Sequence, residues 1–220
     1  RFGYANDSIM PSKDSITQIM KYVGMNLITF DSTHILKKDK RTQIISNAIA
    51  QGYTCDIIAE YFTSLGIKDF LIDVGGEMRV QGVNPRNKLW QIGIQTPQEG
   101  ASSTDFMLIV SLNNKSIATS GNYRKYYIKN GKKYSHTINP KTGFPVMHNL
   151  LSASIVTEEC IDADALATSC MVMGFKKSKE FLNSHPKYQG ILIFEESDSL
   201  HTYITPGLLE QIQTTAQIEE

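Results

Sequence analysis

The stretch Cys160 to Gly174, CIDADALATSCMVMG, sets the reading of the rest of the chain. Two acids, Asp162 and Asp164, open it in a turn-like start. Small and apolar residues follow and favour helix from about Asp162 to Met173. Asp164 and Thr168 are four residues apart, which on a helix puts a carboxylate and a hydroxyl on one face, one above the other. Both are hard oxygen donors of the kind Mg²⁺ takes. The plainer reading is an acid that complements the helix dipole in the first turn, with an unremarked Thr on the same face.

Composition narrows the field. The chain has 220 residues, 41% hydrophobic and 20% charged, enough for one large domain or two small ones, and ordinary for a globular chain. Its formal net charge is zero, so nothing electrostatic points to nucleic acid or to an anionic membrane surface. No apolar run approaches the roughly 18 residues of a membrane span. Cys55, Cys160 and Cys170 form no C-x-x-C pair and signal neither a disulfide framework nor a zinc knuckle. Cys55 and Cys170 are expected to be buried.

Upstream of the opening stretch, periodicity predicts a helix over Ser15 to Val23, with Asp14 or Ser15 as N-cap and Gly24 closing it. Short strands are expected at Asn26 to Phe30, Thr33 to Lys37 and Thr42 to Ser46. A second helix carries Ile57, Ile58, Tyr61, Phe62 and Leu65 and ends at Gly66. Phe70 to Val74 and Met78 to Gly82 read as strands around Gly75-Gly76-Glu77. Paired glycines suit a close backbone approach to a ligand, or simply a tight turn or bulge. Leu89 to Gln95 and Phe106 to Leu112 are further strands, with Asn113-Asn114 as a hairpin signal leading to a return strand at Ile117 to Thr119.

Thr119-Ser120-Gly121 can present N–H and O–H donors to an anion, or be an ordinary turn. Asn130-Gly131 predicts a hairpin between Tyr126 to Lys129 and Lys132 to Tyr134. Ser135 to Pro145 is dense in turn formers and polar groups, and it places His136 in a polar loop. Beyond it come a strand at Leu151 to Thr157, the opening helix, a second helix at Lys176 to Ser184, and a hairpin of Gly190 to Glu195 with Thr202 to Ile204. A closing helix at Pro206 to about Gln213 has Pro at its first position, and a polar, frayed tail follows at 214–220. Strands joined by short turns with helices in pairs indicate an α+β class with an antiparallel-rich sheet, and a single domain over 1–220. No P-loop and no G-x-G-x-x-G occurs.

Five of these stretches, taken together and in order, resemble the ApbE family of FAD:protein FMN transferases. They are Ala48 to Tyr53 with Asp56, Asp73 to Glu77, Ala118 to Tyr123, Ser135 to Pro145, and Ala163 to Thr168. The resemblance implies a T-fold-like architecture and a Mg²⁺-dependent transfer of FMN from FAD to a Thr or Ser hydroxyl of a target flavoprotein, with AMP released. It implies Mg²⁺ ligands at the Ala48 carbonyl, Asp164 and Thr168. It implies an FAD site lined by Gln51, Asp56, Gly75, Gly76, Glu77, Thr119, Ser120, Gly121, His136, Thr137 and Ile138, with catalytic roles for Asp164, Thr168 and His136; an imidazole there can be a hydrogen-bond donor or a proton shuttle, and the donor role is favoured.

Two positions depart from the family pattern. Gln51 stands where Lys is common, and Ile45 where Asp is common. Both remove charge near an anionic cofactor. They keep two alternatives open: an FAD pyrophosphatase that uses water as acceptor, and a non-catalytic FAD-binding protein. Arg1-Phe2-Gly3 resembles the end of a family W-x-F-G-type stretch, so the chain is expected to lack the family's N-terminal segment. By resemblance alone, a periplasmic or other extracytoplasmic lipoprotein is expected, its membrane association lying in that segment.

Overall fold

The computed structural model describes residues 11–98, 100, 102, 105–122, 126–129, 132–135 and 137–214. In chain order the elements are α1 (Lys13–Met20), β1 (Ile28–Phe30), β2 (Ile35–Lys37), α2 (Ala50–Ser64), β3 (Phe70–Val74), β4 (Glu77–Gln81), β5 (Trp90–Gln95), β6 (Phe106–Leu112) and β7 (Lys115–Gly121). There follow β8 (Tyr126–Lys129), β9 (Lys132–Ser135), β10 (Leu150–Thr157), α3 (Cys160–Met173), α4 (Phe175–Ser184), β11 (Gln189–Glu196), β12 (Ser199–Ile204) and β13 (Ile212–Thr214). Every strand pairing described is antiparallel. This is the expected α+β class.

The chain forms two compact units, one from 1–46 with 125–147 and the other from 47–124 with 148–220. In the first, α1 starts two residues earlier than expected because Ser12 is its N-cap, its side chain accepting from the Ser15 N–H at 3.2 Å, and it ends at Met20 rather than Val23. β1 pairs with β2, and β8 with β9; Asn130-Gly131 lies outside the described residues. Asn26 and Leu27 belong to a 3₁₀ turn rather than to a strand. Thr42 to Ser46 is not a strand: no ladder partner is described for it, and Ile44 and Ile45 are exposed.

The second unit is layered. A six-stranded sheet of order β12-β11-β10-β7-β4-β3 lies between helices and a three-stranded sheet of order β13-β6-β5. The pleat explains both interfaces. Ala118, Ala153, Ile155 and Leu192 face the helices, where Ala163, Ala167, Cys170 and Met171 of α3 and Leu182 of α4 meet them. Ile117, Val156, Ile191 and Ile193 face the other way, onto Ile92, Ile94, Leu108, Val110 and Leu112 of the small sheet. Cys55 and Ala59 of α2 pack with Phe70, Ile72 and Cys160.

Two expectations are corrected here. β6 and β7 flank Asn113-Asn114 but do not pair; they enter different sheets, and the Asn114 side chain instead accepts from the Gly82 N–H at 3.2 Å. The closing segment is a 3₁₀ turn at Pro206–Gln211 followed by β13, which adds to the edge of the small sheet through β6. Among the described residues no helix is long and apolar enough to cross a membrane.

Candidate functional site

Four segments of the second unit converge: the start of α2, the turn between β3 and β4, the first half of α3, and the end of β7. α2 approaches α3 so closely that a Cβ on Gly52 would overlap the Cys160 carbonyl and the Asp164 side chain. Only glycine fits there. The approach brings the Gly52 N–H to Asp164 Oδ2 at 3.1 Å. Gly52 lies in the first turn of α2, where N–H groups have no partner inside the helix, and the N-cap Ile49 supplies no side-chain bond. Asp164 therefore caps α2. With that N–H turned to Asp164, the Ala48 carbonyl, four residues back, has no backbone donor among the described residues.

The converse also holds. The Glu159 side chain does not cap α3. Its first-turn N–H groups are met by Asp56 of α2, whose Oδ1 accepts from Cys160 N and whose Oδ2 accepts from Ile161 N, each at 2.9 Å. The Arg79 guanidinium on β4 bonds Asp56 at 2.5 Å and Glu159 at 2.7 Å. Each helix thus lends the other a carboxylate at its positive end. Asp56 has both oxygens engaged by protein donors.

The β3–β4 turn has positive φ at both Gly75 and Gly76, the backbone of a two-residue hairpin turn. Asp73 Oδ1 accepts from the Gly76 N–H at 2.8 Å. Gln51 reaches it from α2, its Nε2 donating to the Val74 carbonyl at 3.1 Å. The Cys55 thiol donates to the Glu77 carbonyl at 3.1 Å, fixing the first residue of β4. Glu77 itself is buried, and its Oε2 has no hydrogen-bond partner among the described residues. Burial, with the Asp164 and Asp73 charges nearby, pushes its carboxyl up to about 7. Burial also raises Asp164, opposed by the Gly52 N–H.

At the end of β7, the Ser120 and Thr168 hydroxyls meet at 3.2 Å. The pleat puts Ser120 on the helix face with Ala118, whereas Thr119 points to the opposite face, where it bonds Ser154 across the ladder at 2.7 Å. The Thr119 side chain is thereby turned away from Thr168. The structure thus gathers Ala48, Gln51, Gly75, Gly76, Glu77, Ser120, Gly121, Asp164 and Thr168 in one unit. Thr137 and Ile138 belong to the other unit; there Ile138 bridges Pro145, and the Thr137 carbonyl accepts from the Val146 N–H at 2.9 Å. His136 lies outside the described residues. Arg79, Glu159 and Ser154 were not singled out from the sequence, since each acts through a partner distant in the chain.

Comparison with known proteins follows the same lines. The ApbE family model matches residues 1–192. The chain is 35% identical over 200 residues to the FAD:protein FMN transferase of Buchnera aphidicola subsp. Schizaphis graminum, a match covering 89% of this chain and 58% of that relative. It is 31% identical over 204 residues to the FAD:protein FMN transferase of Escherichia coli K12, covering 90% and 56%. The chain therefore spans a little over half the length of these relatives. Among solved structures, the flavinyl transferase ApbE of Pseudomonas stutzeri in its apo form superposes with a TM-score of 0.83 at 26% identity, over 94% of this chain and 63% of that one. The flavin transferase ApbE of Vibrio cholerae gives 0.83 at 26%, over 94% and 65%. The order of the motifs, the layered antiparallel fold and the family match agree, and the chain belongs to the ApbE family.

Proposed function

We propose that this protein transfers FMN from FAD to a Thr or Ser hydroxyl of an acceptor flavoprotein, releasing AMP, and that a Mg²⁺ ion assists. The observation that carries the proposal is the meeting of Asp164 and Thr168 on α3 with the start of α2, through the bond from Gly52 to Asp164. The names of the relatives, FAD:protein FMN transferase, support the reaction class.

The residues fit a hard divalent cation. Among the described residues no trio of His, Cys, Asp or Glu could hold a metal, so the donors would be one carboxylate, one hydroxyl and one main-chain carbonyl: Asp164, Thr168 and Ala48. Burial disfavours the ionised Asp164 carboxylate, and the buried Glu77 Oε2 lacks a hydrogen-bond partner among the described residues, so a bound cation would favour the ionised form of both acids. When bound, Mg²⁺ supplies charge neutralisation and a template for the pyrophosphate.

The chain's own residues have the remaining tasks. A nucleotide can approach the Gly75-Gly76 backbone closely because no Cβ crowds it there, while the Gly76 N–H is held by Asp73. Gln51 and Asp73 hold that turn in place. Ser120 fixes the Thr168 hydroxyl. In the transfer, the acceptor oxygen bonds the phosphorus on the FMN side, the bond from that phosphorus to the bridging oxygen breaks, AMP leaves, and the hydroxyl proton passes to a base. Positioning and charge stabilisation account for most catalysis of this kind. The extracytoplasmic location belongs to the same proposal, on the resemblance alone.

The test is intact-mass analysis of a Thr-containing acceptor peptide incubated with protein, FAD and MgCl₂. The expected result is one FMN phosphodiester on the peptide for each AMP formed. AMP and free FMN without modified peptide would make the protein a pyrophosphatase. Intact FAD held without turnover would make it a flavin-binding protein.

A further inference from the structure

We propose that Asp56 is a positioning residue for Asp164: with Arg79 it locks the first turn of α3 against α2, so that Asp164 can serve two partners, the Gly52 N–H and a cation. The proposal rests on the metal reading above and goes beyond it by naming what holds the ligand in place. Neither helix caps itself with a side chain. The bonds that replace the caps span 104, 105 and 112 residues of sequence, so they are tertiary contacts that fix one helix against the other.

Asp56 is 4% exposed and accepts three hydrogen bonds, two from α3 and one from Arg79. Arg79 also holds Glu159, the residue before α3, so one guanidinium orients both the capping carboxylate and the entry of the chain into the helix. Asp164 is one turn beyond the capped N–H groups. A loosened first turn would move its carboxylate away from the Ala48 end of α2, where the main-chain donor lies. Displacements of this size are felt strongly at a site built from only three protein donors.

The experiment measures Mn²⁺ binding by electron paramagnetic resonance, with Mn²⁺ as the probe for the Mg²⁺ site, on wild type, Asp56→Asn, Arg79→Gln and Leu182→Ala. Leu182 is a buried residue of α4, packed in the core cluster that holds Ala163 and Ala167, and is not one of the clamp residues, so its truncation lowers Tm while leaving every clamp side chain in place. The expected result is a Kd for Mn²⁺ raised about tenfold in Asp56→Asn and about threefold in Arg79→Gln, with Leu182→Ala within twofold of wild type. Wild-type binding that survives Asp56→Asn overturns the positioning role. So does equal weakening in Leu182→Ala, which would mean that any loss of stability suffices. Should Asp56→Asn not fold, Arg79→Gln decides in the same way. Wild-type protein that binds no Mn²⁺ overturns the metal reading instead.

Discussion

Gly52 shows how much a single residue can carry. In an exposed helix, Gly→Ala stabilises by about 1 kcal/mol. Here the added methyl would press on the Cys160 carbonyl and the Asp164 side chain, so Gly52→Ala is expected to destabilise by about 1–2 kcal/mol net, the overpacking outweighing the helix propensity. Urea denaturation checks this, and a stabilised variant would contradict the close approach. Glu77 gives a second prediction. Its carboxyl is raised to about 7, so the folded protein binds its proton more tightly than the unfolded chain does. Stability without metal should therefore fall as pH rises from the ordinary glutamate range, about 4.3, through 7, and Glu77→Gln should flatten that fall. Thermal melts across the window, in EDTA, read it directly. At this scale the sequence was partly legible. Asp164 and Thr168 share a helix face by spacing alone. The engagement of Asp56 was not legible, because its two N–H donors are 104 and 105 residues away. Nor was the turning away of Thr119, which depends on which face of β7 meets the helices.

Among the elements, β10 is the one the site leans on. It is central in the six-stranded sheet, buried on both faces, and it leads into α3. Ile155 is fully buried against α3 and α4, and Ile155→Ala should cost about 2–5 kcal/mol, measured by denaturant unfolding. A cost under 1 kcal/mol would mean that the helix layer is not packed on this strand as described. Most strands and helices were legible from periodicity and turn residues, since the pattern that selects an element is local. Three failures share one cause. Thr42 to Ser46 has β-branched residues but no ladder partner described. Asn113-Asn114 makes a tight turn, yet its strands part into different sheets. Pro206 starts a helical turn, but Ile212–Thr214 finds a free edge on β6 and becomes a strand. Strand identity is settled by partners, and partners are not local.

Over the whole molecule, the α+β class and the family were legible because five short motifs keep their order over much of the chain, and the family match covers residues 1–192. The two-sheet layering was not, since which strands share a sheet is settled by partners distant in the chain. The departures at Gln51 and Ile45 gain a physical meaning only in part: Gln51 is spent on the Val74 carbonyl, supporting the glycine turn by a neutral amide where a cation is common in the family. The central claim is that Asp164, held by α2 at the head of α3, makes this a metal-assisted pyrophosphate-cleaving site. The measurement that tests it most directly is AMP release from FAD by wild type and Asp164→Asn, in MgCl₂ and in EDTA. The account predicts release by wild type in MgCl₂, none in EDTA, and a loss of about a hundredfold or more in Asp164→Asn, the scale of removing one electrostatic stabiliser. Release undiminished by EDTA or by Asp164→Asn would contradict it.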